Sequence, residues 1–142
     1  MIRFEVKQLF FDSPKVVRAV DRTTRRVLSK FGAFVRRTAR SSIRKRKRIS
    51  EPGSPPSSHS GLLKKFIFFG YDPAKRSVVI GPTRLNQKGR GEAPPLLEYG
   101  GKATLVRRGK KKRVTYQARP YMGPAFEKEK PQLPAMWRGS VR

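Results

Sequence analysis

The sequence predicts an α+β domain in which a long amphipathic helix near the N-terminus packs on a small antiparallel sheet of two hairpins, with a short helix near the C-terminus. Three observations lead to this fold class. Apolar residues recur at helical spacing over about 30 residues, two pairs of β-branched and aromatic runs flank turn signals, and a proline at residue 124 opens a short helix-forming segment. The length of 142 residues fits a single domain that spans residues 1–142.

The long helix has the clearest local signal. Ser13 is a good N-cap and Pro14 suits the first helical position. Apolar or small residues then recur every three or four positions, at Val16, Val17, Val20, Thr24, Val27, Leu28, Phe31, Phe34, Val35, Thr38, Ala39 and Ile43. Arginines occupy the opposite side, at Arg18, Arg22, Arg25, Arg26, Arg36, Arg37, Arg40 and Arg44.

The end of this helix is also predicted by its periodicity. Lys45 would return to the apolar side, so the helix should leave the core near residue 44. A helix of this extent is about 45 Å long, which is long for so small a domain. We therefore expect part of it to pack on other subunits or to project beyond the core.

The predicted strands lie on both sides of turn signals. Residues 2–10 begin with alternating apolar and polar residues, which predicts a short strand before the helix. Residues 65–71 (KFIFFGY) and 76–81 predict a first hairpin. Residues 103–108 and 113–118 predict a second hairpin, in which Gly109, Lys110, Lys111 and Lys112 form a strongly basic tip.

Proline, serine and glycine mark the irregular segments. Residues 49–60 and 82–95 are predicted to be mobile loops. The last helix should run from Pro124 to about residue 130, because Pro131 and Pro134 limit its continuation. We expect an irregular tail from about residue 131.

The composition points to binding or assembly and not to catalysis. The chain has 35 Lys and Arg against 9 Asp and Glu, a net charge of +26, and therefore favours polyanions or an assembly that supplies negative charge. It has no cysteine, its one histidine lies in a Ser- and Pro-rich loop, and its carboxylates are scattered. We predict no catalytic residue, no metal site and no cofactor, and hence that the protein is not an enzyme.

The sequence predicts no membrane segment. Its apolar runs fall short of the roughly 18 residues needed to cross a bilayer, and charges interrupt the apolar residues of the first fourteen positions. We expect synthesis in a cytoplasm without export.

The basic residues fall into discrete patches on the helix, on the run after it and on the second hairpin. Their charge is almost unbalanced by acidic neighbours, which favours contact with phosphate or with an acidic protein surface. The candidate polyanion-contacting residues are Arg36, Arg37, Arg40, Arg44, Lys45, Arg46, Lys47, Arg48, Lys110, Lys111, Lys112 and Arg113. Since no base-reading motif is present, any nucleic-acid contact should be largely independent of sequence.

The aromatic run of the first hairpin allows two interpretations. Phe66, Phe68, Phe69 and Tyr71 could form a stacking platform for bases beside so many cations. Alternatively, alternate residues could fill the core while the others meet the helix or a neighbouring subunit. We favour the second interpretation.

Three short motifs, in this order, resemble a known family. They are residues 55–65 (PPSSHSGLLKK) after the long helix, residues 97–101 (LEYGG) and residues 118–126 (ARPYMGPAF). Together they resemble the tail-completion or neck proteins of tailed bacteriophages, the family typified by the tenth gene product of phage HK97. The resemblance covers roughly residues 14–130.

This resemblance implies a structural virion protein that works by assembly. It implies a homo-oligomeric ring, often hexameric, that adjoins head-connector and tail-tube or terminator proteins. The resemblance also implies that this ring is located in the virion neck or tail and is assembled in the host cytoplasm. The motifs that carry it supply the candidate subunit contacts, Glu98, Tyr99, Gly100, Arg119, Pro120 and Tyr121. Burial of these residues within the monomer is an equal alternative.

A second function remains open on charge alone. A general, sequence-independent nucleic-acid-binding protein, ribosomal- or nucleoid-like, would carry a similar excess of cations. The neck hypothesis also allows contact with packaged DNA. Both hypotheses therefore expect a negatively charged partner, and they differ in whether the protein assembles into a ring.

Overall fold

The fold is known from a computed structural model that describes residues 13–83 and 93–140. The elements in chain order are α1 (Ser13–Ser42), β1 (Arg44–Lys45), β2 (Ser57–Ser58), α2 (Leu62–Lys65), β3 (Ile67–Asp72), β4 (Ser77–Pro82), α3 (Ala93–Tyr99), β5 (Gly101–Arg107), β6 (Lys110–Tyr116), α4 (Met122–Glu129), a 3₁₀ turn (Lys130–Gln132) and α5 (Leu133–Trp137). The predicted strand at 2–10 and most of the predicted loop at 82–95 lie outside the described residues.

The predicted α+β fold class is confirmed, and α1 is its central element. Val27, Phe31, Val35 and Ala39 lie four residues apart on one side of α1 and are buried. Ile43 follows the end of the helix and is also buried, so the chain leaves the core where the periodicity predicted. The core continues through residues of the other elements, namely Leu63, Ile67, Tyr121 and Ala125.

The first two turns of α1 extend beyond this core. Val16, Val17 and Val20 are 41–48% exposed, although they continue the apolar side of the helix. This exposure agrees with the expectation that a helix of such length is not fully covered by its own domain.

The first hairpin, β3 and β4, packs on α1 at a glycine. A Cβ atom at Gly32 would lie 2.8 Å from Val78 Cγ2 and 3.0 Å from Phe69 Cδ2, so the two elements approach too closely for a side chain there. At the far end of the hairpin, Asp72 Oδ1 accepts hydrogen bonds from the backbone N–H groups of Ala74 (3.0 Å) and Lys75 (3.3 Å), which stabilises the turn.

The strands form three separate two-stranded sheets. The sequence predicted one small sheet, but the hairpins β3–β4 and β5–β6 do not pair with each other. One reason is that β3–β4 packs on α1, while β5–β6 contacts α3. A short parallel pair, β1 with β2, joins the basic run to the loop that follows it.

The turn of the second hairpin differs from the prediction. Arg107 pairs with Lys110, so the connection is the two residues Arg108 and Gly109. Both have positive φ, 50° and 75°, as the type I′ hairpin turn requires. Lys110, Lys111 and Lys112 are therefore strand residues of β6, and the basic segment is a ribbon with a tight turn and not a loop with a basic tip.

The C-terminal segment is helical where the sequence predicted an irregular tail from about residue 131. Pro131 and Pro134 occupy early helical positions, where a missing N–H group leaves no hydrogen bond unmade, so they start short helical turns. Beyond α5, the chain folds back on α1, because the Ser140 carbonyl accepts hydrogen bonds from Thr23 Oγ1 (3.3 Å) and Arg26 Nη2 (2.7 Å).

Candidate polyanion interface and motif junction

The three motifs of the sequence meet in and beside the core, since Leu63 of the first and Tyr121 of the third belong to the core cluster and Leu97 of the second packs against it. Glu98 caps the N-terminus of α4: its Oε2 accepts hydrogen bonds from the backbone N–H groups of Tyr121 (2.9 Å) and Met122 (3.0 Å), and its Oε1 accepts one from Gly123 (2.7 Å). These N–H groups have no intrahelical partner, and a carboxylate is a favourable acceptor for them. The second motif thus holds the third in place.

Arg119 joins the third motif to the loop that precedes the first. Its Nε donates to the Ser50 carbonyl (2.9 Å), and its backbone N–H donates to the Leu97 carbonyl (2.6 Å). The Gly53 N–H donates to the Ala118 carbonyl (2.8 Å). Within residues 49–60, which the sequence predicted to be mobile, the side chain of Pro56 is fully buried.

Tyr121 is the buried centre of the junction, with 1% of its surface exposed. Burial raises the pKa of its phenol well above the ordinary value, and the negative charge of Glu98 raises it further. The phenol is therefore neutral at any physiological pH.

The candidate subunit contacts divide by exposure. Glu98, Arg119 and Tyr121 make contacts inside the monomer, as the alternative interpretation allowed, and Pro120 is partly buried. Gly100 ends α3 with φ +72°, and a Cβ there would lie 2.9 Å from the Tyr116 carbonyl oxygen. Tyr99 is 82% exposed and makes the least contact with its own domain among these residues.

The candidate polyanion residues of α1 belong to a longer surface, which we call the α1 ridge. It consists of the cations that share the side of α1 away from the core, Arg18, Arg22, Arg26, Lys30, Arg37 and Arg40. All except the partly buried Arg40 are exposed, and the ridge extends about 33 Å at 1.5 Å per residue. The candidate set omitted its first four members, although their continued spacing of four residues was a signal for them.

Arg36 faces the first hairpin instead of joining the ridge. Its Nε donates to the Ile67 carbonyl (2.7 Å), and its guanidinium lies 5.8 Å from the centre of the Phe68 ring. The Phe68 ring in turn lies 6.3 Å from that of Phe66, over which Lys65 Nζ lies at 5.9 Å. Arg36 thus anchors β3 to α1 besides contributing charge.

The aromatic run alternates as the favoured interpretation expected. Ile67 is completely buried, and Phe69 turns toward Gly32 of α1. Phe68 points to the other face of the hairpin and is 45% exposed. Phe69 is still 36% exposed and Phe66 is partly buried, so the aromatic segment remains accessible on both faces of the hairpin.

The basic run after α1 is held on the surface and is not a free tail. Arg44 and Lys45 pair with Ser57 and Ser58 in the parallel sheet, and Arg46 Nε donates to Ser57 Oγ (2.9 Å). All five residues of the run, Arg44, Lys45, Arg46, Lys47 and Arg48, are exposed. Lys110, Lys111, Lys112 and Arg113 are likewise exposed along β6.

Most carboxylates of the described residues form hydrogen bonds or ion pairs within the domain. Three of them accept hydrogen bonds from uncharged groups: Asp72 from its turn, Glu98 from α4, and the buried Glu129 from the Thr38 hydroxyl and the Gln132 amide (3.1 Å). Two ion pairs are seen in the described part of the chain, Arg76–Asp21 (3.2 Å) and Lys130–Glu127 (3.7 Å), and all their partners are exposed. Among the described residues, no carboxylate forms an ion pair with a cation of the α1 ridge or of the basic run.

His59 is exposed. Within residues 13–83 and 93–140, no group of three or more His, Asp or Glu side chains could hold a metal ion. Among the helices of the same residues, none is long and apolar enough to cross a bilayer.

No family model matches the chain, and neither a curated protein nor a solved structure matches it.

Proposed function

We propose that this chain is a structural virion subunit of a tailed bacteriophage, which joins the head connector to the tail as part of a neck or tail-completion ring. The observation that carries the proposal is the junction around Tyr121. The second and third motifs that resemble this family contact each other through the cap from Glu98, and Leu63 of the first lies in the same core cluster as Tyr121 and Ala125 of the third. Arg119 and Gly53 also bond the third motif to the loop that precedes the first. Motifs that maintain one junction are expected to specify a shared fold.

The uncovered surfaces suit a subunit that completes itself by assembly. Val16, Val17 and Val20 expose an apolar strip at the start of α1, and Tyr99 exposes an aromatic side chain at the end of α3. Apolar and aromatic side chains of this kind are the usual anchors of protein interfaces. Neighbouring copies or adjoining rings would cover them.

The charge of the chain supports a position beside a polyanion. A ring of copies that each carry +26 would be opposed by electrostatic repulsion unless DNA or acidic neighbours supplied negative charge. The packaged DNA that passes through a neck channel provides such charge, and acidic connector or tail proteins would provide it in the same way.

The experiment is localisation and deletion in the phage that encodes the chain. We expect antibody labelling and electron microscopy to place the protein at the head–tail junction, and deletion to leave filled heads and separate tails. Absence of the chain from purified virions, together with normal joining of tails in the deletion strain, would refute the proposal.

A general nucleic-acid-binding function is the second candidate, favoured because no carboxylate among residues 13–83 and 93–140 pairs with a cation of the α1 ridge. It predicts tight, salt-sensitive binding to free DNA or RNA by a protein distributed along nucleic acid in the cell. Fractionation distinguishes the two candidates, since only the neck role concentrates the protein in virions.

A further inference from the structure

The ribbon of β5 and β6 has two chemically different faces. Residues directly opposite each other in an antiparallel pair share a face, and residues two apart along a strand do so as well. The register from Gly101–Tyr116 to Arg107–Lys110 therefore assigns every strand residue to one of two faces. We define the outward face as the face that carries the side chains of Lys102, Thr104, Val106, Lys111, Arg113 and Thr115.

The opposite face contacts the body of the domain at its base. At its base, Ala103, Val114 and Tyr116 are partly buried, and a Cβ at Gly101 would lie 3.3 Å from Leu96 Cδ2 of α3. Lys110 and Lys112 lie on this face at its distal end. Leu105, which pairs with Lys112 on this face, is 48% exposed, so a large partner could approach here from the turn to the middle of the ribbon but not at the base.

The outward face is open along its whole length. All six of its residues are exposed, including Val106 at 54%. Each strand has seven residues, so the face is about 23 Å long at 3.3 Å per residue. Its polar members are three cations and two threonines, a set of groups that donates hydrogen bonds to phosphate.

The charge of the ribbon has one sign. Residues 101–116 contain seven Lys and Arg, and the sequence has no acidic residue between Glu98 and Glu127. A two-stranded ribbon by itself is only marginally stable in water, and so many like charges disfavour it further. A negatively charged partner along its length would remove that repulsion.

We propose that the outward face of the β5–β6 ribbon binds the sugar–phosphate backbone of duplex DNA without regard to sequence. A stretch of duplex as long as the face carries on the order of 13 phosphate charges, so every cation on it can meet a phosphate. A rigid duplex can lie against the full length of the outward face. On the opposite face, α3 would block the duplex at the base of the ribbon. The inference deepens the proposed neck function by assigning its DNA contact to this ribbon.

Two double variants of the full chain with equal loss of charge test the proposal. K111Q/R113Q removes two cations from the outward face, and K110Q/K112Q removes two from the opposite face of the same strand. Binding to a random duplex of about 20 base pairs is measured by fluorescence anisotropy from about 50 to about 250 mM NaCl. Circular dichroism and thermal melting verify that both variants fold like the unsubstituted protein.

The expected result is a difference between the faces. Loss of two phosphate contacts should reduce the steepness of log K against log salt concentration by about 1.8 and weaken binding about 60-fold near 0.1 M salt for K111Q/R113Q. K110Q/K112Q should change the slope by less than half as much. Equal losses of DNA affinity in both variants would show that the ribbon contributes only net charge. An unchanged slope in K111Q/R113Q would show that the outward face does not contact DNA. Either result overturns the proposal.

The neck role and the DNA contact of the outward face can be tested independently of each other. If the protein is found at the virion neck but both variants bind duplex DNA alike, the DNA contact by this face is wrong and the neck role is retained. If the outward face binds DNA but the protein is absent from virions, the DNA contact is retained and the neck role is wrong.

Discussion

At the scale of single residues, the motif junction depends on the carboxylate of Glu98. It accepts three backbone hydrogen bonds at the start of α4, and no residue within α4 could provide them. Its neighbour Tyr121 is buried among apolar residues of the core. From the sequence alone, a subunit contact and burial within the monomer were equal alternatives for both residues, because a Glu beside a Tyr and two glycines is also typical of an exposed turn.

We predict that Glu98→Ala lowers the free energy of unfolding by about 2 kcal/mol, because it leaves helix N-terminal N–H groups without their acceptor. Glu98→Gln should cost less, since the amide oxygen retains part of the acceptor capacity. Urea denaturation followed by circular dichroism measures the change. Glu51→Gln, at an exposed position, is the matched control and should have little effect; equal losses at both positions would contradict the capping role.

Tyr121 predicts an alkaline dependence of stability. Its pKa in the folded state is raised above the ordinary 10.0, so the neutral phenol is the form that the fold favours. Below pH 10 both states hold the proton and this contribution is constant. Above pH 10 only the unfolded state loses the proton, so stability should fall by about 1.4 kcal/mol per pH unit.

Tyr121→Phe isolates this effect from the lysines that titrate in the same range. The stability difference between the two proteins, measured by urea denaturation from pH 9 to about pH 11.5, should shift progressively in favour of the variant above pH 10. A constant difference across the range would show that the phenol ionises as easily in the folded state as in the unfolded state.

At the scale of elements, the domain depends on how closely the β3–β4 hairpin approaches α1. Gly32 permits the approach, and Arg36 secures it through the hydrogen bond to the Ile67 carbonyl. The exposed ion pair between Asp21 and Arg76 adds a further contact between α1 and the hairpin turn, of the kind that contributes little stability. Apolar packing at Gly32 and Ile67 therefore dominates this interface.

We predict that Gly32→Val lowers the free energy of unfolding by about 3 kcal/mol, since its side chain would overlap Val78 and Phe69. Gly32→Ala should lose about 1 kcal/mol, because the overlap outweighs the better helix propensity of alanine. Thermal and urea unfolding measure both. Gly81→Ala is the control, as nothing lies within 4 Å of a Cβ at that position; a loss there as large as at Gly32 would argue against close packing as the cause.

At the scale of the whole molecule, repulsion among the cations lowers the stability of the fold. The net charge of +26 repels itself, and most carboxylates of the described residues are used for caps, turns and exposed ion pairs. The fold tolerates this because the core is formed by apolar residues of α1, β3 and α4, while the α1 ridge and the basic run stay in solvent. Partners that bring negative charge should stabilise the protein.

We predict that salt stabilises the isolated protein. Raising NaCl from about 0.05 to about 0.5 M shortens the screening length several-fold, and should raise the midpoint of thermal unfolding by about 4 °C. The variant K47E/K111E, which lowers the net charge at two exposed positions, should show a smaller rise. Equal rises in the two proteins would mean that salt acts through something other than charge repulsion.

The sequence by itself determined the elements with strong periodicity or clear turn chemistry. The range and buried side of α1, both hairpins, the start of α4 near Pro124 and the alternation of the aromatic strand follow from spacing, because the helix and strand periods are properties of the local backbone. The sign and the grouping of the charge were equally visible. The position of the second turn was not, since a basic run hides the fact that Arg108 and Gly109 alone adopt positive φ.

Only the tertiary structure decided what the individual motif residues do. Glu98, Arg119 and Tyr121 are turned into the domain and Tyr99 out of it, which depends on contacts between segments far apart in the chain. The same holds for the C-terminal segment, where docking of Leu133 and Met136 on the core favours helical turns that begin with prolines. Local sequence limits the conformations of each segment, but the face that a segment buries is set by which distant residues it meets.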